Sequence, residues 1–194
     1  MKKLIKVLIL DLHGILIKDF PFELYLKKTK KLFEKYNFKF DLEQILKDYG
    51  TTSTATQHYG FREEYLRMLD TLTPFKQKDE ELIDLIKELQ ILSYKIYIAT
   101  DTSRKNALDT LSKAGISFLM FDEIITGDDI NLPKPHTELY EKILEKEPKI
   151  EPCQMLVIGD RITDIIPAIK LGMNGIVCDF YIFKELLKWL CEKN

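Results

Sequence analysis

From Leu4 to Leu10 every position but Lys6 is apolar, and the run gives way to the polar Asp11. This is the pattern of a strand buried on both faces that delivers a carboxylate to the edge of a sheet. The pattern recurs. Tyr94 to Ala99, rich in Ile and Tyr, ends in Thr100 and Asp101, and Met155 to Ile158 ends in Gly159 and Asp160. Glu123 to Thr126 and Gly175 to Cys178 are shorter strand candidates. Between them the apolar positions fall at helical spacing: Leu82, Leu85, Ile86 and Leu89; Ala107, Leu108 and Leu111; Leu139, Tyr140, Ile143 and Leu144; Ile165, Ile166, Ile169 and Leu171. Alternating strands and helices predict an α/β fold, a doubly wound parallel sheet of Rossmann-like type with right-handed crossovers.

The interval from Phe20 to Pro74 breaks this rhythm. Phe22, Tyr25, Leu26, Leu32, Phe33 and Tyr36 keep helical spacing with no strand between them. Further helices are expected over Leu42 to Lys47 and Arg62 to Leu72, with Gly50 to Thr56 as a loop or helix start. The chain is therefore expected to form a core from residues 1–18 and 76–194, carrying an inserted helical unit at 19–75. A last helix with Phe183, Leu186, Leu187, Trp189 and Leu190 is expected to cover the sheet, any exposed face of it serving a homodimer contact.

Composition narrows the function classes. The 194 residues are 45% hydrophobic, enough for one well-buried core with an insertion. Against 31 acidic residues stand 29 basic ones, a net charge of -2 that lacks the excess a general binder of nucleic acid polymers carries. No apolar stretch reaches the roughly 18 residues needed to span a bilayer. Lys2 and Lys3 before an apolar run resemble the start of a leader, but Asp11 and His13 close that run and no small-residue cleavage site follows, so a cytoplasmic protein is expected. Three cysteines without CxxC spacing, Cys153, Cys178 and Cys191, indicate neither a disulfide framework nor a zinc site.

Open parallel sheets bind ligands beyond the carboxyl ends of their strands, where strand order reverses. The polar residues ending strands are the ones to collect: Asp11 and His13, Thr100 and Asp101, Asp160 and nearby Asp164, joined by Lys134 between Pro133 and Pro135. In this order Asp11-Leu12-His13-Gly14, Thr100, Lys134, and Gly159-Asp160 with Asp164 resemble the four motifs of the haloacid dehalogenase superfamily. The resemblance covers essentially the whole core, and the insertion is similar to the helical cap of one branch. It implies a Mg²⁺-dependent phosphomonoester hydrolase acting on a small soluble phosphorylated substrate, a nucleotide or a sugar phosphate. Asp11 would attack phosphorus and form an aspartyl-phosphate. Asp11, the backbone carbonyl of His13, Asp160 and Asp164 would hold the metal. Lys134 would add a second cation, and Thr100 with the adjoining Asp101 segment would meet the phosphate oxygens.

The chain also departs from that family. His13 occupies the position of a second Asp that serves as general acid and base. Continued strand geometry would aim it to the same side as Asp11, and a reference pKa of about 6.5 suits proton transfer near neutrality. Two other readings stay open: a catalytically degenerate phosphate-binding or interaction protein, and a metal-independent dehalogenase-like hydrolase. Ile15 stands where Thr is usual, Asp101 where Asn is common, with Arg104 as a candidate partner for it, and Lys18 where the hinge often carries an acid. Asp19, one residue later, reads as an ordinary turn residue. Tyr49-Gly50-Thr51-Thr52 and Lys134-Pro135-His136 are similar to segments of pyrimidine 5'-nucleotidase-like members, though a polar turn explains the first equally well. Tyr59, Phe61 and Tyr65 are expected to pack helices together rather than to stack on a base, and His58 and His136 to lie on the surface.

Overall fold

The computed structural model describes residues 4–18, 22–49, 52–72 and 79–193. The chain divides into two compact units, residues 1–18 with 76–194, and residues 19–75. Asp19, Gly50 and Thr51 lie outside the described residues.

The first unit holds five strands: β1 (Val7–Leu10), β2 (Lys95–Ala99), β3 (Glu123–Ile125), β4 (Met155–Gly159) and β5 (Asn174–Val177). They form one parallel sheet in the order β3-β2-β1-β4-β5. Among its described residues five α-helices accompany the sheet, α5 (Glu80–Ile91), α6 (Arg104–Lys113), α7 (Glu138–Lys146), α8 (Ile162–Lys170) and α9 (Phe180–Glu192). One face of the sheet, with Leu8, Leu10, Ile96, Ile98 and Ile158, packs on α5, α6 and α9. The other, with Val7, Ile9, Tyr97, Ala99 and Val157, packs on α7 and α8. Helices on both faces explain why β1 reads as an unbroken apolar run: all four of its residues are buried. The fold is the α/β doubly wound sheet expected from the alternation.

Two local expectations shift. The first strand begins at Val7, three residues later than the apolar run, and Leu4 is 78% exposed. On α8 the buried stripe is Asp164, Ile165, Pro167 and Ala168, while Ile166 and Ile169 face solvent. The helix is turned so that Asp164 faces inward and Ile165 seats against Gly175, where an added Cβ would lie 2.4 Å from the Ile165 methyl. On α9, Phe183, Leu187 and Leu190 are buried and Trp189 is exposed. Lys184 of α9 bonds Asp79 at 2.9 Å and Glu81 at 2.5 Å, at the start of α5.

The second unit contains α1 (Phe22–Lys35), α2 (Leu42–Tyr49), α3 (Thr52–His58) and α4 (Arg62–Asp70). The stretch read as loop or helix start is thus a helix from Thr52. Leu32, Phe33, Ile45, Ala55, Phe61 and Tyr65 form its core. Phe33 meets Phe40 and Phe61 edge-on, both at 5.1 Å between ring centres, geometry that adds to simple burial. Tyr59, Phe61 and Tyr65 therefore pack inside this unit. Among the described residues no helix is long and apolar enough to cross a membrane.

Candidate active site

β1 is the central strand, and Leu10 lies opposite Ile98 of β2 and Ile158 of β4. The chain runs outward from β1 through β2 and β3, then resumes on its other side with β4 and β5. Strand order therefore reverses beside β1, at the crevice where open sheets bind ligands. Asp11 follows directly on β1, its N–H donating to the Ile158 carbonyl at 2.9 Å, with Thr100 and Asp160 just past the ends of the flanking strands.

Beyond Asp11 the chain turns instead of continuing as a strand. The N–H groups of Leu16 and Ile17 both donate to the Leu12 carbonyl, at 3.1 and 2.9 Å, and Gly14 N–H donates to the Ile17 carbonyl at 2.7 Å. His13 lies within this turn, half-buried and two residues beyond Asp11, and bridges to Ile17. Ile15 is fully buried in the hydrophobic core, which accounts for an apolar residue there. Lys18 donates to the Tyr181 hydroxyl and lies 4.8 Å above that ring.

Gly14 carries φ +81°, and a Cβ added to it would sit 2.6 Å from Asp160 Cγ. Only glycine accepts both the left-handed backbone and that approach. Gly14→Ala is expected to destabilise the protein by about 1–3 kcal/mol and to displace Asp160. Urea unfolding and a hydrolysis assay check this; wild-type behaviour in both would contradict it.

Two carboxylates share one buried cation here. Lys134 Nζ donates to Asp11 Oδ1 at 2.6 Å, pairs with Asp164 Oδ1 at 2.5 Å, and reaches the Ala99 carbonyl at 3.3 Å. The three side chains are 5%, 11% and 5% exposed, in the order Lys134, Asp11, Asp164. Burial pushes the Asp11 carboxyl up to about 6; Lys134 opposes this, while Asp164 and Asp160 add to it. Burial works against the Lys134 charge, but Asp11, Tyr140 and Asp164 outweigh it and hold its pKa above the usual value. Asp160 is also raised, first by burial, with Arg161 opposing and Asp164 adding. Arg161 lies 3.5 Å from Asp160 and is largely exposed, so the cluster keeps an excess of buried negative charge.

Asp164 has both oxygens engaged. While Oδ1 holds Lys134, Oδ2 accepts the Arg161 N–H at 3.0 Å and caps α8. Gly159 lets it approach, since a Cβ there would lie 2.4 Å from Asp164 Cβ. Asp164, expected from the sequence as a metal ligand, here anchors the lysine and caps α8. Tyr140, read from the sequence only as part of a helical stripe, donates its buried hydroxyl to the Asp164 carbonyl at 2.8 Å. No sequence signal separates that tyrosine from an ordinary core aromatic.

The phosphate side shows a further rearrangement. Asp101 Oδ1 accepts the Lys134 backbone N–H at 3.0 Å, which fixes the lysine's loop, while Arg104 pairs with Asp129 at 2.7 Å and not with Asp101. Asp101, expected beside the phosphate, anchors the loop that carries Lys134. Buried Thr100 accepts the Thr102 N–H at 3.3 Å, leaving its hydroxyl proton to donate elsewhere.

Mg²⁺ characteristically takes one or two carboxylates together with waters and substrate phosphate oxygens. Asp11 and Asp160, the latter pressed against Gly14, are the carboxylates that would meet such an ion, and the surplus negative charge would favour a cation. Among the described residues no three His, Cys, Asp or Glu side chains cluster closely enough to enclose a metal unaided.

The chain matches the family described as haloacid dehalogenase-like hydrolases over residues 8–178. It is 28% identical over 170 residues to a pyrophosphatase PpaX of Oceanobacillus iheyensis, covering 84% of this chain and 78% of that protein. It is 33% identical over 92 residues to a glyceraldehyde 3-phosphate phosphatase of Methanocaldococcus jannaschii, covering 47% of this chain and 40% of that protein. Its fold is similar to the crystal structure of CbbY from Rhodobacter sphaeroides in complex with phosphate, with TM-score 0.64 and 20% identity over 90% of this chain and 86% of that one.

Proposed function

The chain belongs to the haloacid dehalogenase-like hydrolases, and on that footing we propose that it is a Mg²⁺-dependent phosphomonoesterase in which Asp11 takes up the phosphoryl group of a small phosphate ester. The observation that carries this reading is the carboxylate closing the central strand, hydrogen-bonded to a buried lysine at 2.6 Å. Attack by an anion on an anion requires positive charge that burial does not extinguish, and Lys134 remains protonated. The relatives named as phosphatases, and the similar structure holding phosphate, support a phosphoryl substrate over a halide.

Each residue then has a task. Asp11 attacks phosphorus; the bond to the leaving oxygen breaks, and the alkoxide takes its proton from His13. His13 next draws a proton from water, which attacks phosphorus, releases phosphate and regenerates the carboxylate. Lys134 balances charge on the transferring oxygens, and the Thr100 hydroxyl donates to them. Asp164, Asp101 and Tyr140 act by holding Lys134 and α8 in place. Asp11, Asp160 and the His13 carbonyl would hold Mg²⁺, which screens nucleophile and phosphate from one another. Residues 1–18 and 76–194 are the catalytic core of this reading, and 19–75 its cap.

A panel of sugar phosphates, nucleoside monophosphates and pyrophosphate tests the proposal, assayed with Mg²⁺ and again with excess chelator. Hydrolysis of at least one phosphomonoester, lost on chelation, is expected. Metal-independent turnover, or none at all from acidic to mildly alkaline pH, overturns it. For His13, Asp in its place is expected to preserve or raise kcat, while Asn lowers it about a hundredfold or more. Equal rates for His and Asn would remove His13 from proton transfer.

A further inference from the structure

The helical unit carries a basic groove that the reaction above does not use. It lies between α1 and α4, has a volume of about 780 Å³, and is lined by Lys28, Lys31, Lys35, Arg67, Glu64, Thr71 and the apolar Leu32 and Met68. That size falls within the ~300–1,000 Å³ of small-ligand sites. Lys28, Lys31 and Lys35 recur along one edge of α1, and Glu64, Arg67 and Thr71 along one edge of α4, each at helical spacing.

The two ends of the groove are closed by side-chain pairs. Lys28 Nζ donates to Thr71 Oγ1 at 2.7 Å, and Lys35 pairs with Glu64 at 2.5 Å. Glu64, the sole carboxylate of the lining, also accepts from the Tyr36 hydroxyl, so its charge is already engaged. Between the closures stand Lys31 and Arg67, both exposed, with Arg67 near enough to Glu64 to join Lys35 and Tyr36 in holding that carboxyl down. Four cations against one carboxylate give the groove a charge of about plus three, in a chain whose net charge is -2. From Lys28 to Lys35 the cations extend over roughly 10 Å of helix, set beside an apolar floor.

We propose that this groove binds a small ligand carrying a chain of linked phosphates, a nucleoside triphosphate or a free oligophosphate. Lys31 and Arg67 would grip the chain between the two closures, the guanidinium supplying the planar fork that phosphate oxygens favour. A single phosphate covers less of this row of cations than a linked chain does. The assignment rests on the helical unit alone and is independent of the reaction proposed for the other unit.

Calorimetric titration of the full chain tests it, in chelator, with inorganic tripolyphosphate, ATP and orthophosphate as probes. Tripolyphosphate and ATP are expected to bind and orthophosphate to bind far more weakly. Lys31→Glu with Arg67→Glu is expected to weaken the first two about tenfold or more, with the thermal midpoint retained. Lys142→Glu with Lys170→Glu makes the same change in net charge outside the groove and is expected to leave binding within about twofold. Equal affinities for tripolyphosphate and ATP assign recognition to the phosphate chain, and tighter ATP adds a base on the Leu32–Met68 floor. The inference is overturned by absent binding, by orthophosphate binding as tightly as tripolyphosphate, by undiminished binding to the groove variant, or by equal weakening in the control variant.

Discussion

Asp11→Asn is expected to lower phosphatase turnover by about three orders of magnitude or more while stabilising the metal-free protein. The loss of rate follows because the amide keeps the shape and polarity of the carboxylate but cannot form the covalent phosphoryl bond. The gain in stability follows from the position of Asp11. Burial raises its carboxyl from 3.8 to about 6, with Asp164 and Asp160 adding to the effect against Lys134. A carboxyl that binds its proton more tightly folded than unfolded favours the native state at low pH. That contribution is fully present below about 4 and is lost as pH rises through about 6. At neutral pH the ionised form therefore costs on the order of 2–3 kcal/mol, which Asn removes. Urea unfolding in chelator checks this: the variant exceeds wild type at pH 7, and the gap narrows toward pH 5. A variant no more stable than wild type at pH 7 would contradict the buried-charge account.

Lys134→Met is expected to be the most damaging single change to stability and to lower the rate as well. It leaves Asp11 and Asp164, each nearly buried, without the cation they share. Breaking a buried ion pair by removing one partner costs about 3–5 kcal/mol. The Asp11 carboxyl rises further, because Lys134 is the principal influence holding it down. The variant should accordingly lose more stability at pH 7 than at pH 5, where protonation discharges the site. Its residual hydrolysis should fall about a hundredfold or more. Lys134→Arg should not restore activity, since a wide planar fork does not fit where one ammonium reaches Asp11, Asp164 and the Ala99 carbonyl. Unfolding curves at the two pH values measure the effect, and a Met variant as stable as wild type at pH 7 would contradict it.

The sheet was legible because its signal is physical and local. A strand covered on both faces must be apolar throughout, and β1 and β4 are. Polar residues at their ends mark the site, since an open parallel sheet leaves its carboxyl edge for chemistry. What the sequence hid depends on contacts between distant residues. The carboxylate of Asp101 meets the backbone of Lys134 thirty-three positions later, and no spacing rule announces that bond. Tyr140 supports Asp164 through a hydroxyl whose ring belongs to an ordinary helical stripe. On α8 the apolar periodicity pointed to Ile166 and Ile169, yet turning Asp164 inward exposes both. The turn after Asp11 did leave a trace in Gly14, whose freedom of backbone is what the sharp return of the chain requires. In α1, attention to the apolar positions passed over the lysines at their side, which acquire meaning only when α4 lies alongside.

The central claim is that Asp11 carries the phosphoryl group between substrate and water. Rapid acid quench during turnover, reduction of the acyl-phosphate with borohydride, and peptide mass spectrometry test it directly. The account predicts homoserine at position 11 in the wild-type protein and its absence from Asp11→Asn. Sustained hydrolysis with position 11 unmodified, or with the reduced residue found elsewhere in the chain, would contradict it.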